Sequence, residues 1–207
     1  MRTLHVTDER ALTVAAATLR AGGVIVVPTD TVYGLAALPD NADAVRRIYL
    51  AKDRPDRMQL PVLAATVDQV RQLGVEFPHV AAILSSRWWP GPLTMAFGFS
   101  DTTARPRWLD DREEVAVRIP DNEFLLALMR TTSALVVTSA NRHGAITPPS
   151  AEQAGSLLAP HVSLVIDGGP LDSIPSTLVN VRARPPVIER EGAIARSDIA
   201  AALEGGA

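Results

Sequence analysis

Four β-branched apolar residues stand in a row at Val24-Ile25-Val26-Val27, between Gly22-Gly23 and Pro28. The run has neither the period of an amphipathic helix nor the alternation of a half-solvated strand, so it reads as a strand covered on both faces. Comparable runs return at "ALVVT" from Ala134 and "VSLVI" from Val162, with helically spaced stretches between them. Strands and helices that interleave in this way give an α/β layer architecture. The first expected elements are a helix over 8–19, the strand over 24–27, and a helix capped by Asn41 that runs through Leu50 with Val45, Ile48 and Tyr49 inward. A strand from Leu60, helices near 67–73 and 78–88, and strands from Leu93 and Val115 follow. Then come a helix from Asn122 to about Met129, a strand from Ala134, a helix from Ser150 to Leu158, strands from Val162, Thr177 and Pro186, and a closing helix from Ser197-Asp198. The short spacings late in the chain favour a mixed sheet over a purely parallel one. Residues 101–114 read as an exposed loop inside one domain, and no repeat or linker divides the chain.

Composition removes several chemistries. Of 207 residues 47% are apolar, enough for a sizeable core without staples. The absence of cysteine excludes disulfides, thiolate zinc sites and cysteine nucleophiles, and fits a cytoplasmic protein. No apolar run approaches the roughly 18 residues of a membrane span, and the N-terminus lacks a signal-peptide core. A net charge of −3 argues against a broad nucleic-acid surface, though not against a local basic patch. The four histidines have no ligand spacing, and neither a phosphate-binding glycine loop nor a G-x-S-x-G elbow is present. Of the 20 cations 19 are arginine, and Lys52 is the only lysine. A lysine kept in an arginine-rich chain suits a place where a compact point charge is required.

What recurs is a strand that ends in small polar residues or glycine: "PTDTVYG", "TSANRHG", "IDGGP" and "IPSTLVN". Such segments make turns, and strand ends of open sheets are also where ligands gather. Hydroxyls, an amide and bare N–H groups suit phosphate oxygens and carboxylates. Lys52 and Arg54 stand two residues apart at a helix end, where they either neutralise the helix dipole or converge on one anion. Arg118, in "VAVRIP", shares a strand face with Ala116. It either faces solvent or clamps a carboxylate, and Arg190 in "PVIEREG" carries the same ambiguity. The adjacent tryptophans of "SRWWPGPLT" favour packing at a core edge.

Taken in order, "PTDTVYGL", "KDRPDRMQLPVL", "RWWPGPLT", "VAVRIP", "TSAN" before a glycine, "PSTLVNV" and "IEREGAI" resemble the YrdC-like family of threonylcarbamoyl-AMP synthases, over about residues 22–194. The resemblance implies one domain over 1–207 of the short type, with a twisted mixed sheet around a large concave basic cavity. It implies that L-threonine and bicarbonate form a carbamate, which attacks the α-phosphate of ATP to give threonylcarbamoyl-AMP and pyrophosphate. Magnesium accompanies the ATP. Downstream transferase proteins then carry the threonylcarbamoyl group to a tRNA adenosine beside the anticodon. The implied catalytic and nucleotide-binding residues are Lys52, Arg54, Ser139 and Asn141, with Thr147 and Arg190 along the nucleotide. Thr31 belongs to the threonine pocket, Arg118 to the threonine carboxylate and Ser176 to the threonine side. This chemistry gathers and neutralises anions and needs no protein nucleophile.

The chain departs from the family pattern at His143, Pro175 and Glu191, and has Leu63 near the place of a histidine found in longer members. Two other readings of the same domain remain open at this stage: a module that binds tRNA or double-stranded RNA, and a relative that transfers carbamoyl groups.

Overall fold

The structure is a computed structural model that describes residues 2–55, 58–101, 103–172 and 174–205. Asp56 and Arg57 of the "KDRPDRMQLPVL" segment lie outside the described residues. The elements are β1 (Arg2–His5), α1 (Ala11–Arg20), β2 (Ile25–Val27), β3 (Gly34–Ala37), α2 (Ala42–Lys52), β4 (Val62–Leu63), α3 (Val67–Arg71), α4 (His79–Trp88), β5 (Leu93–Gly98), β6 (Glu114–Arg118), α5 (Glu123–Thr132), β7 (Leu135–Ser139), α6 (Ala151–Leu158), β8 (Leu164–Asp167), β9 (Thr177–Asn180), β10 (Val187–Arg190) and α7 (Arg196–Glu204). A short 3-10 helix, Arg107–Leu109, sits inside the 101–114 stretch and buries Leu109.

All ten described strands join one mixed sheet in the order β1-β8-β2-β3-β7-β4-β6-β5-β9-β10. Residues 25–27, buried throughout, lie between β8 and β3, parallel to the first and antiparallel to the second. The expected caps are in place. Asn41, Asn122 and Ser150 accept from the N–H groups of Ala44 (2.9 Å), Leu125 (3.0 Å) and Gln153 (3.3 Å), which satisfies one orphan donor at each helix start. Trp88 and Trp89 pack against the core edge, with the Trp89 indole donating to Leu93 O at 2.7 Å.

Four features differ from the sequence reading. The first helix starts at Ala11 rather than Asp8, because Asp8 turns back to receive the Arg10 N–H at 2.9 Å. Strand β1 has one buried residue and no strong pattern of its own; it forms because its backbone pairs in parallel with β8. Strand β3, Gly-Leu-Ala-Ala, has poor strand propensity and is held by ladders with β2 and β7 on its two sides. In α2 the fully buried face is Ala44, Ile48, Ala51 and Lys52, while Val45 and Tyr49 are only partly covered.

The β2–β3 connection carries Tyr33, fully buried. Its hydroxyl donates to Gly169 O at 2.6 Å and accepts from the Gly168 N–H at 3.1 Å. The "IDGG" backbone is therefore used to pin this loop. Tyr33→Phe removes both of these part-buried hydrogen bonds, each contributing about 0.5–1.5 kcal/mol. Its melting temperature is expected to fall by several degrees in a calorimetric scan, and an unchanged midpoint would show the link to be idle.

Candidate functional site

The polar burst after Val27 is the loop of the β2–β3 hairpin, whose last pair is Val27 with Gly34. Thr29 organises it. Its hydroxyl donates to Val32 O at 2.7 Å and accepts from the N–H groups of Thr31 and Val32 at 3.0 and 3.1 Å. The Thr31 hydroxyl lies 3.0 Å from it and receives the Arg118 guanidinium at 2.8 Å. The segment is thus both a turn and the lip of a site.

That site is a cavity of about 520 Å³ over one face of β3, β7, β4, β6, β5 and β9. It is hollow because small or short side chains stand on that face: Gly34, Ala116 and Thr94, opposite the packed face of Val115 and Val117. Thr31, Arg54, Arg118, Ser139, Asn141, Thr147, Ser176 and Arg190 all line it, so the topology gathers eight of the nine expected residues. Among the described residues its lining includes three arginines and no carboxylate. "IDGGP" does not contribute. Strand β8 lies on the far side of β2 from β3, and its glycines face Tyr33.

Lys52 is the ninth residue, and it stands behind the wall. Only 1% exposed, its ammonium donates to Ser139 O (2.5 Å), Asn141 O (2.6 Å) and Asn141 Oδ1 (3.1 Å). Those bonds use all three donors of an ammonium group. The helix-to-loop stitch is completed by the His143 N–H donating to Lys52 O at 2.8 Å. Burial, with the neighbouring charge of Arg54 adding to it, pulls the Lys52 pKa down to about 8. Lys52 and Arg54 do not converge through an extended segment, since Lys52 ends α2 and Asp53 is left-handed. Arg54 donates instead to Met58 O and Gln59 O.

The carboxamide of Asn141 is saturated. Its oxygen accepts from Lys52 and from the Ser139 hydroxyl, and its nitrogen donates to Arg142 O (2.9 Å) and Ala145 O (2.5 Å). Lys52 and Asn141 therefore shape the 139–145 turn, while Ser139 and Thr147 face the cavity.

Arg118 ends β6 and is buried, not solvated. It pairs with Asp30, donates to Thr31 Oγ1, and donates through Nε to Gly91 O at 2.9 Å. A guanidinium has five donors, so three of these bonds leave two, one on each terminal nitrogen. Burial lowers its pKa, and Asp30 opposes that shift. Across the cavity Arg190 donates to Ser176 O at 3.0 Å and Oγ at 3.2 Å, and the Ser176 hydroxyl lies 2.8 Å from that of Thr94.

The departures have local explanations. Glu191 turns away from Arg190 to accept the Arg196 N–H at 3.1 Å. Gly192 is required there, since a Cβ would come within 2.2 Å of Pro175 O. His143 is exposed and off the cavity, and Leu63 lines it. Asp30, Thr94 and the Gly91 carbonyl escape the sequence reading. The available signals are the carboxylate within "PTDTVYG" and the lone hydroxyl inside the apolar run "LTMAF".

Residues 17–192 match the Sua5/YciO/YrdC family model, whose description is "Telomere recombination". The chain is 36% identical over 199 residues to the threonylcarbamoyl-AMP synthase of Bacillus subtilis, with 95% of this chain and 58% of that protein covered. It superposes on the crystal structure of Pyrococcus abyssi Sua5 complexed with L-threonine at a TM-score of 0.87 and 32% identity, over 98% of this chain and 60% of that one. It superposes on Escherichia coli YciO at 0.81 and 26% identity, over 93% and 95%. The chain thus spans about three fifths of the length of Bacillus subtilis synthase and Pyrococcus abyssi Sua5. With its single mixed sheet and the site residues on one face of it, the chain belongs to the Sua5/YciO/YrdC family.

Proposed function

We propose that this chain makes threonylcarbamoyl-AMP from L-threonine, bicarbonate and ATP. The observation that carries the reading is the cavity in which eight of the expected residues meet, three of them arginines, with no carboxylate among its described lining residues. The names of its relatives and the threonine bound in one of them support it. In this reading bicarbonate and the threonine amine condense to a carbamate with loss of water. A carbamate oxygen then forms a bond to the α-phosphorus, the bond to the bridging oxygen breaks, and pyrophosphate leaves with the electron pair.

The chain's own residues hold and align. Two free donors of Arg118 take the threonine carboxylate, with Thr31 and Ser176 beside it. Arg54, Ser139 and Thr147 lie along the phosphates, and Arg190 lies at the nucleotide end. Neutralising and aligning anions is the larger part of such a phosphoryl-type transfer. Magnesium would accompany the ATP phosphates, where it would offset their charge. Among the described residues no group of three or more His, Asp or Glu side chains offers it a ligand set. No described helix is long and apolar enough to cross a membrane, and a cytoplasmic setting suits a product destined for tRNA through transferase partners.

Pyrophosphate release from ATP tests the reading. Release is expected only with L-threonine and bicarbonate together. Release independent of threonine, or none with all three present, would set it aside.

A further inference from the structure

The outer face of α2 looks into a second pocket, separate from the sheet cavity and sharing only Arg54 with it. Its volume is about 610 Å³, within the roughly 300–1,000 Å³ range of small-molecule sites. Ala42, Val45, Arg46, Tyr49, Leu50 and Asp53 contribute to it at spacings of three and four, which is one stripe of the helix. The core covers this stripe only in part: Val45 and Tyr49 are half-buried, and Leu50 is 58% exposed. The opposite wall is Trp108 of the 3-10 turn and Arg112, whose guanidinium lies 5.7 Å from the Trp108 ring centroid.

Two features of the lining select a ligand. Arg46, Arg54 and Arg112 bring three positive charges, against the single carboxylate of Asp53. Among the described residues no carboxylate forms an ion pair with any of the three. Among the described residues Arg54 and Arg112 donate to main-chain oxygens: Met58 O and Gln59 O for the first, Leu60 O for the second. Burial lowers the pKa of both, with the Tyr49 phenol opposing the shift, so their charges are partly desolvated and no carboxylate among the described residues pairs with them. A guanidinium in that state favours a phosphate or carboxylate, which it can meet with two parallel bonds. The second feature is aromatic. The rings of Trp108 and Tyr49 line the same space and suit the π-face of a flat ligand.

We propose that this pocket is a second binding site that takes a nucleoside monophosphate, with its base against Trp108 and Tyr49 and its phosphate on Arg46, Arg54 and Arg112. Asp53 offers an acceptor for an exocyclic amine or a ribose hydroxyl. The pocket shares Arg54 with the sheet cavity, but the reading of that cavity needs neither Arg46 nor Trp108, so those two residues separate the sites.

The test uses AMP, adenosine and inorganic phosphate with the whole chain, in the absence of threonine and ATP. Tryptophan fluorescence reports on Trp108, and calorimetry counts sites. AMP is expected to quench the fluorescence saturably and to bind at least tenfold more tightly than adenosine or phosphate, since both halves contribute. Trp108→Leu should abolish the quenching. Arg46→Ala, a change at an exposed helix position, should weaken this binding about tenfold while circular dichroism stays unchanged. Arg190→Ala, at the rim of the sheet cavity, should leave it intact. AMP binding that survives both Trp108→Leu and Arg46→Ala but fails in Arg190→Ala would place all of it in the sheet cavity and overturn the proposal. So would an absence of AMP binding. Neither result bears on threonine-dependent pyrophosphate release, so the two readings fail separately.

Discussion

Lys52→Ala is expected to lower threonine-dependent pyrophosphate release by about 100- to 1,000-fold, and Lys52→Arg to recover little of it. The reason lies in where the ammonium sits. It fastens Ser139 O, Asn141 O and Asn141 Oδ1 to one point at the end of α2. Displacing a positioned group by about 1 Å can cost 100-fold, and losing a preorganised charge or donor costs about 2.7–4 kcal/mol. A planar guanidinium is too wide to reproduce three convergent short bonds from a single nitrogen. Stability should move far less than activity, because two effects oppose each other. Removing the ammonium strands buried acceptors, but it also ends the desolvation of a buried cation. Turnover at saturating substrates, with a melting scan as control, checks this. Lys52→Arg running within about twofold of the unaltered protein would show that the lysine is only a charge at a helix end.

The same residue sets a pH dependence. Its folded pKa of about 8 lies below the ordinary lysine value of 10.5. Between those values the unfolded chain binds more protons than the folded one, so this group's contribution to stability rises with pH across that window. Below pH 8 both states are protonated and the burial penalty is full. Activity should run the other way, falling as pH rises through about 8 and the ammonium is lost. Lys52→Met should show neither trend. Parallel loss of activity and stability above pH 8 in the unaltered protein would contradict the assignment.

The second large effect is at Arg118. Arg118→Ala is expected to leave Asp30 buried beside an empty space. Breaking a buried pair in this way typically costs about 3–5 kcal/mol, roughly 6–20 °C in melting temperature for a chain of this size. A loss that large would obscure any effect on ligand, so Arg118→Lys is the informative change. It keeps the charge for Asp30 but removes the two-pronged end. L-Threonine affinity should fall by roughly 10- to 150-fold, corresponding to about 1.5–3 kcal/mol for a charge-assisted fork, while ATP affinity changes little. Calorimetric titration of each ligand distinguishes the cases, and equal losses for both would make Arg118 a structural residue.

The residues that line the cavity or stand behind its wall were legible because their types are scarce or conspicuous where they stand. A lone lysine among arginines, hydroxyls and an amide after an apolar strand, and an arginine inside a strand all mark themselves within a few positions. The helix caps were legible for the same reason: a side chain and the N–H it satisfies are three residues apart, so propensity and geometry agree locally. The four-residue run at Val24 called for a buried strand whatever surrounded it.

Long-range pairing decided the rest. Gly34–Ala37 is a strand because two neighbours hold it, and Arg2–His5 because β8, far along the chain, lies alongside. Local propensity carries no information about either. Whether Arg118 faced solvent or a site depended on Asp30, 88 residues away, and the role of Lys52 depended on carbonyl groups 87 and 89 residues on. By its period the face of Val45, Ile48 and Tyr49 looked like the core face, and Ile48 is fully buried while Val45 and Tyr49 are only partly covered. Packing centred the buried face on Ala44, Ile48, Ala51 and Lys52, and left Val45 and Tyr49 at its edge to line a pocket. A helical period states that a face is apolar. Which apolar face the sheet covers is set by the rotation of the helix about its axis, and that is fixed only when every layer packs at once.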